Sequence, residues 1–116
     1  MSELKSIELS DTLTHVALIG RLDEQGVDAV DLRLTSHVAA RRRPAIVDLS
    51  GVEFLGSLGI GMLIRVAHAL QAHGARLVLL GPTGRVEEVL RASKIDDVIP
   101  IATDRDDALG LLDIDS

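Results

Sequence analysis

Ser57 is the side chain best placed to do chemistry in this sequence, because of what stands on either side of it. An apolar run at residues 45–49 precedes it by a short stretch, and the segment Gly56-Ser57-Leu58-Gly59-Ile60-Gly61-Met62-Leu63-Ile64 carries it into a long apolar region. The run reads as a buried strand and the region as a helix, joined by a short loop that contains glycine. A serine at such an entrance lies beside unpaired backbone N–H groups, at the positive end of the helix dipole. Two uses follow from that position. The hydroxyl can cap the helix, which stabilises it by roughly 1 kcal/mol relative to alanine. It can also accept a phosphate, whose charge of about −1.5 to −2 is favoured at a helix N-terminus.

Other chemistries find little support. The chain has no cysteine, which excludes disulfides, thiolate catalysis and thiolate metal sites. His68 and His73 are five residues apart and fall on different faces of a helix, while His15 and His37 lie on separate elements, so no metal is expected. A nucleophile elbow requires Gly-x-Ser-x-Gly, and here the first glycine is displaced: Leu55-Gly56-Ser57-Leu58-Gly59. No phosphate-cradling Gly-x-x-x-x-Gly-Lys-Ser/Thr is present either. The expectation is a protein that is not an enzyme and holds no cofactor.

Composition narrows the partners. A formal charge of −6 repels nucleic-acid phosphates, and Phe54 is the single aromatic residue, too few for base stacking. The polar start Met1-Ser-Glu-Leu-Lys lacks an apolar signal region, and no apolar run reaches the ~20 residues that span a bilayer. These features predict a cytoplasmic protein without membrane insertion. At 116 residues the expectation is one domain, able to bury roughly two-thirds of its unfolded surface.

The elements that must position Ser57 follow from periodicity. Residues 4–9 and 13–22 read as strands joined by the polar turn Ser10-Asp11-Thr12, an antiparallel hairpin. Asp23 reads as an N-cap for a helix with Val27, Val30, Leu34 and Val38 on one face. That helix ends at Arg41-Arg42-Arg43, favourable to its dipole and able to meet an acidic partner, and Pro44 blocks continuation. Residues 45–49 and 76–80 are short apolar runs separated by one helix, as in a parallel sheet covered on both faces. The intervening helix spans about residues 58–73 and stops at Gly74. Ile60, Leu63, Ile64, Ala67 and Leu70 form its core stripe; Met62, Val66 and Ala69 form a second stripe that reads either as a wider buried face or as a docking strip. Gly56, Gly59 and Gly61 leave the entrance bare for close approach by another backbone. A third helix opens after Gly84, residues 98–101 read as an edge strand, and a last helix starts at residues 104–107. The predicted order is ββαβαβαβα, an α/β layered fold with a mixed, mostly parallel sheet.

This order, the segment Val47-Asp48-Leu49-Ser50-Gly51-Val52-Glu53-Phe54 and the stretch Gly20-Arg21-Leu22-Asp23 resemble the STAS family, the sulfate transporter and anti-sigma factor antagonist domains. The resemblance covers nearly the whole chain. In the stand-alone bacterial members the loop after the strand reads Asp-Ser-Ser-Gly-Leu-Gly. Here Gly56 replaces the aspartate and Leu58 the second hydroxyl residue. Loss of the carboxylate changes the local charge but leaves an acceptor hydroxyl.

What the resemblance implies is an anti-sigma factor antagonist without catalysis. Its phosphoacceptor would be Ser57 and its partner a serine kinase/anti-sigma factor of the GHKL type, with a phosphatase as a further candidate and a homo-oligomer left open. Around that serine the residues themselves offer a partner-binding set of Asp23, Gly56, Ser57, Leu58, Gly59, Gly61, Met62 and Val66, and Asp48, read at a strand end, is a structural residue of the motif that holds loop N–H groups. The same resemblance allows a second role, a non-phosphorylated structural subunit of a stressosome or of a lipid-transport ATPase complex, which the departures at Gly56 and Leu58 favour.

Overall fold

The computed structural model describes residues 2–114. Strands β1 (Glu3–Leu9) and β2 (Thr14–Leu22) form the expected antiparallel hairpin. Its turn is closed by Ser10, whose hydroxyl accepts from the Leu13 N–H at 3.0 Å. Asp23 caps α1 (Glu24–His37), its carboxylate accepting from the Gly26 N–H at 2.9 Å. The chain then enters β3 (Ala45–Leu55), α2 (Ser57–Gln71), β4 (Leu77–Leu80), α3 (Gly84–Ala92), β5 (Ile101–Ala102) and α4 (Arg105–Leu111). The sheet order is β1-β2-β3-β4-β5, with every pair after the hairpin parallel. This is the mixed, mostly parallel α/β architecture that the sequence predicts.

Two layers of helix cover the sheet unequally. On one face Val27, Val30 and Leu34 of α1, Met62, Leu63, Val66 and Leu70 of α2, and Val86 and Leu90 of α3 bury Leu18, Val47, Leu49 and Leu79. On the other, Ala108 and Leu109 of α4 and the following Leu112 pack on Ile46, Val78, Leu80 and Ala102. Alternation along β3 explains the division, since Ile46 points one way and Val47 the other.

The structure differs from the sequence reading in several places. α1 ends at His37 rather than at the arginine run, which follows a separate 3₁₀ turn, Ala39–Arg41. β3 does not end at Leu49 but continues for six further residues; beyond Asp48 it pairs with β2 alone, because β4 stops opposite at Leu80. Residues 98–100 are not strand: a short 3₁₀ turn, Ile95–Asp97, precedes them, and the strand is confined to Ile101–Ala102. Both stripes of α2 contribute to the core: Leu63, Ala67 and Leu70 of the first and Met62 and Val66 of the second are buried, while Ile60, Ile64 and Ala69 are half-buried, because α2 is wedged against α1 as well as the sheet.

Among the described residues no helix is long and apolar enough to cross a membrane, and no group of three or more His, Asp or Glu could hold a metal ion.

Candidate functional site

The site forms where two neighbouring parallel strands end together. Arg21 and Leu22 of β2 pair with Phe54 and Leu55 of β3, so the helices that follow begin side by side. The Gly56 N–H donates to the Leu22 carbonyl at 3.2 Å, tying the entrance of α2 to the end of β2. Both helix N-termini therefore face the same region of solvent, but they are completed differently. α1 has the carboxylate of Asp23 on its N–H groups and Glu24 in its first turn. α2 has neither: its cap is Gly56, no side chain bonds its first N–H groups, and its first turn holds no acid. The positive end of the α2 dipole receives no counter-charge from the helix's own first turn.

Ser57 is the first helical residue of α2, exposed to solvent. It is not the cap, which corrects one of the two uses read from sequence. A cap needs extended backbone one residue earlier, and Gly56 supplies it (φ −98°, ψ −179°). The Ser57 hydroxyl is thereby freed from a structural duty.

An aromatic ring and a cation stand at the entrance of α2. Phe54 lies against Gly56, so that a Cβ on residue 56 would stand 3.2 Å from the ring, and the ring is 37% exposed. The Arg21 guanidinium sits 4.5 Å above the ring centroid and 3.7 Å from the Asp23 carboxylate. The close approach of Phe54 gives a local reason for glycine where the resemblance expects aspartate: with a Cβ at 56 the ring must give by a few tenths of an ångström. Leu58, 53% exposed, is the apolar flank on the other side. Next to Arg21 and Asp23 opens a cleft of about 300 Å³, whose wall includes Gln25 and the N-terminal turn of α1.

Of the residues predicted to bind a partner, the structure brings Asp23, Gly56, Ser57 and Leu58 to one surface. Gly61 lies half-buried one turn further along α2. Three others belong elsewhere. Met62 and Val66 are core residues with 0% and 3% exposure, so they offer no docking strip. Gly59 is buried as well: a Cβ there would meet the Leu55 side chain at 2.7 Å and the Leu22 carbonyl at 3.1 Å. Its bareness lets α2 close on β2 and β3 rather than admitting a partner backbone. Asp48 sits in mid-strand, not at a strand end near the loop, and accepts from the Ser50 N–H at 2.8 Å. Sequence reasoning missed Arg21 and Phe54. The available signal was the lone aromatic beside the loop, but the register that stacks Arg21 on it emerges only in three dimensions.

An anti-sigma F factor antagonist of Lysinibacillus sphaericus is 24% identical over 90 residues, 77% of each chain. The crystal structure of an anti-sigma factor antagonist from Mycobacterium paratuberculosis is 28% identical, with a TM-score of 0.79 over 97% of this chain and 95% of that one. SpoIIAA in its unphosphorylated form has the same fold, at a TM-score of 0.76 and 20% identity over 96% and 98% of the two chains. The Bacillus cell fate determinant SpoIIAA in its phosphorylated form gives a TM-score of 0.64 at 21% identity, over 85% of this chain and 91% of that one. The family model of the STAS domain matches residues 5–108, and the chain belongs to the STAS domain family.

Proposed function

We propose that this protein is an anti-sigma factor antagonist. It docks an anti-sigma factor of the GHKL serine-kinase type on the surface formed by Ser57, Leu58, Phe54 and Arg21, and phosphorylation of Ser57 by that kinase dissociates the pair. The observation that carries the reading is the exposed Ser57 hydroxyl at the N-terminus of α2, which has no side-chain cap and no acid in its first turn. Relatives named as anti-sigma factor antagonists support the partner class.

The physical case is a difference between two states. Unmodified, the surface offers exposed apolar groups on either side of a small hydroxyl, suited to a close contact. A phosphate on Ser57 adds charge that the bare helix terminus tolerates, worth about 0.3–1 kcal/mol per charge in the free protein. A docked partner would meet that charge and bulk inside its interface. A coupling of ~1–3 kcal/mol changes affinity about 5–150-fold, enough for partner switching.

Ser57→Asp is expected to weaken capture of the cognate anti-sigma factor by at least about fivefold, while Ser57→Ala retains it. Co-purification of wild type and both variants with a GHKL-type anti-sigma kinase of the same organism measures this. Equal capture of Asp and Ala variants would reject charge control and favour the constitutive structural-subunit role. Intact mass after incubation with ATP and that kinase supplies the companion test, with a gain of one phosphate on wild type and none on Ser57→Ala. An unchanged wild-type mass, with the kinase active on a control, would remove the phosphoswitch.

A further inference from the structure

The far face of the hairpin carries a charged cluster remote from the Ser57 surface. His15 of β2 stands directly opposite Glu8 of β1 and is half-buried. Arg105, the first residue of α4, reaches across to both. Its Nη2 donates to Glu8 Oε1 at 3.0 Å and its Nη1 to Glu8 Oε2 at 3.3 Å, a bidentate fork. The same Nη1 is in hydrogen-bond contact with His15 Nδ1. A guanidinium can only donate, so this contact requires Nδ1 to be the unprotonated nitrogen of a neutral imidazole. Both Nη1 protons are then used, one on the carboxylate and one on the ring.

We propose that His15, Arg105 and Glu8 form a proton-operated clasp, closed while His15 is neutral, that frees the first turn of α4 from the hairpin when the imidazole is protonated. Protonation of Nδ1 places a donor and a positive charge against Arg105, and it offers Glu8 a rival cation on the strand next door. The charged groups facing His15 are Glu8 from β1, Asp48 from β3 and Arg105 from α4.

Burial, then the Arg105 charge, hold the His15 pKa below its ordinary 6.5, against smaller opposing pulls from Glu8 and Asp48. A base whose pKa is lower folded than unfolded binds fewer protons when folded. Its contribution to stability is complete above 6.5 and is lost as pH falls toward the folded pKa. The clasp therefore opens on the acid side.

What it guards is specific. Among the described residues α4 and the Leu112 that follows it are the only helical cover for Ile46, Val78, Leu80 and Ala102. Loosening its first turn gives solvent access to that apolar floor without disturbing the α1–α2 face that carries Ser57. The Asp104 cap, which accepts from the Asp107 N–H at 2.8 Å, lies outside the clasp, but a helix of seven residues frays once its first turn is undocked.

The test uses the full chain: NMR titration of the His15 ring nitrogens, with amide hydrogen exchange across α4, at about pH 7.5 and about pH 5.5. In wild type Nδ1 is expected to be unprotonated at the higher pH. Protection of the α4 amides is expected to fall about two- to fivefold at the lower pH, after correction for intrinsic exchange, as suits a solvent-exposed tether. His15→Gln should abolish that fall, and Arg105→Ala should raise the His15 midpoint. A proton on Nδ1 at the higher pH, a fall that persists in His15→Gln, or a midpoint unmoved by Arg105→Ala would each overturn the clasp.

Discussion

Gly26→Ala is expected to lower the thermal midpoint by about 10 °C, a loss of about 2–3 kcal/mol for a domain of this size. Gly26 lies in the first turn of α1, where the chain doubles back on the strand it has just left. A Cβ on this residue would stand 2.9 Å from the carbonyl carbon of Arg21 and closer still to its oxygen. That neighbour is backbone, already held in the β2–β3 ladder and accepting the Ser2 hydroxyl, so it cannot swing aside as a side-chain tip could. The helix must lift instead. Alanine returns up to about 1 kcal/mol in helix propensity, too little to offset a forced separation of two backbones. The consequence reaches the site, because Arg21 and Asp23 sit on the segment that would move. Urea or thermal denaturation measures the change. A midpoint within about 2 °C of wild type would show that α1 can lift without cost.

Gly26 illustrates why part of this fold was legible in the sequence and part was not. Periodicity reports which side of an element faces apolar surroundings, and it placed the hairpin, the Asp23 cap, the parallel run at residues 45–49 and the order of elements. It does not report what else crowds a position. Nothing in the residues beside Gly26 signals that the Arg21 carbonyl lies against it. The same limit hides the end of β3. Ser50, Gly51, Glu53 and Phe54 break the apolar run because β4 has already stopped, leaving that part of the strand with one neighbour and an exposed flank. A strand with one partner needs no continuous hydrophobicity, so its sequence looks like loop.

The surface around Ser57 divides along the same line. The serine, its bare helix entrance and the exposed Leu58 could be read from local spacing, since all three depend on one helix start. Met62 and Val66 could not be assigned to the core from the helix alone, because what buries them is the packing of α1 as well as the sheet. Nor could Ser57 be told from a cap, a distinction of one residue that rests on the backbone of Gly56. The separation matters for function. A serine that caps its helix exchanges a hydrogen bond for a phosphate on modification, whereas one at the first helical position gives up no capping bond.

The run Arg41-Arg42-Arg43 gives the second large expected effect, confined to its first member. As sequence it reads as a basic helix end, favourable to the dipole and able to meet an acidic partner. In the structure Arg41 turns inward beyond α1 and clamps the hairpin turn. Its Nη1 donates to the Leu13 carbonyl at 3.1 Å and to Thr14 Oγ1 at 2.6 Å, and its Nη2 donates to the Ser10 carbonyl. Thr14 is fully buried, the one polar side chain in the core among the described residues, and Arg41 supplies its hydrogen bond. Arg41→Ala removes three charge-assisted bonds and leaves the Thr14 oxygen without that donor, at an expected cost of about 2 kcal/mol after allowing for partial exposure. Arg41→Lys recovers little of this, because one ammonium cannot reproduce a fork that spans the turn and the first residue of β2. Arg42 and Arg43 are exposed, so their alanine variants should stay within about 0.5 kcal/mol of wild type. Arg42 also holds a left-handed backbone, φ 59°, so Arg42→Gly should gain up to about 1 kcal/mol by relieving that conformation. Urea melts of the four single variants, Arg41→Ala, Arg42→Ala, Arg43→Ala and Arg42→Gly, therefore separate three residues that composition treats alike. Equal midpoints for the three alanine variants would mean that the clamp adds nothing, and that Thr14 finds another partner when Arg41 is gone.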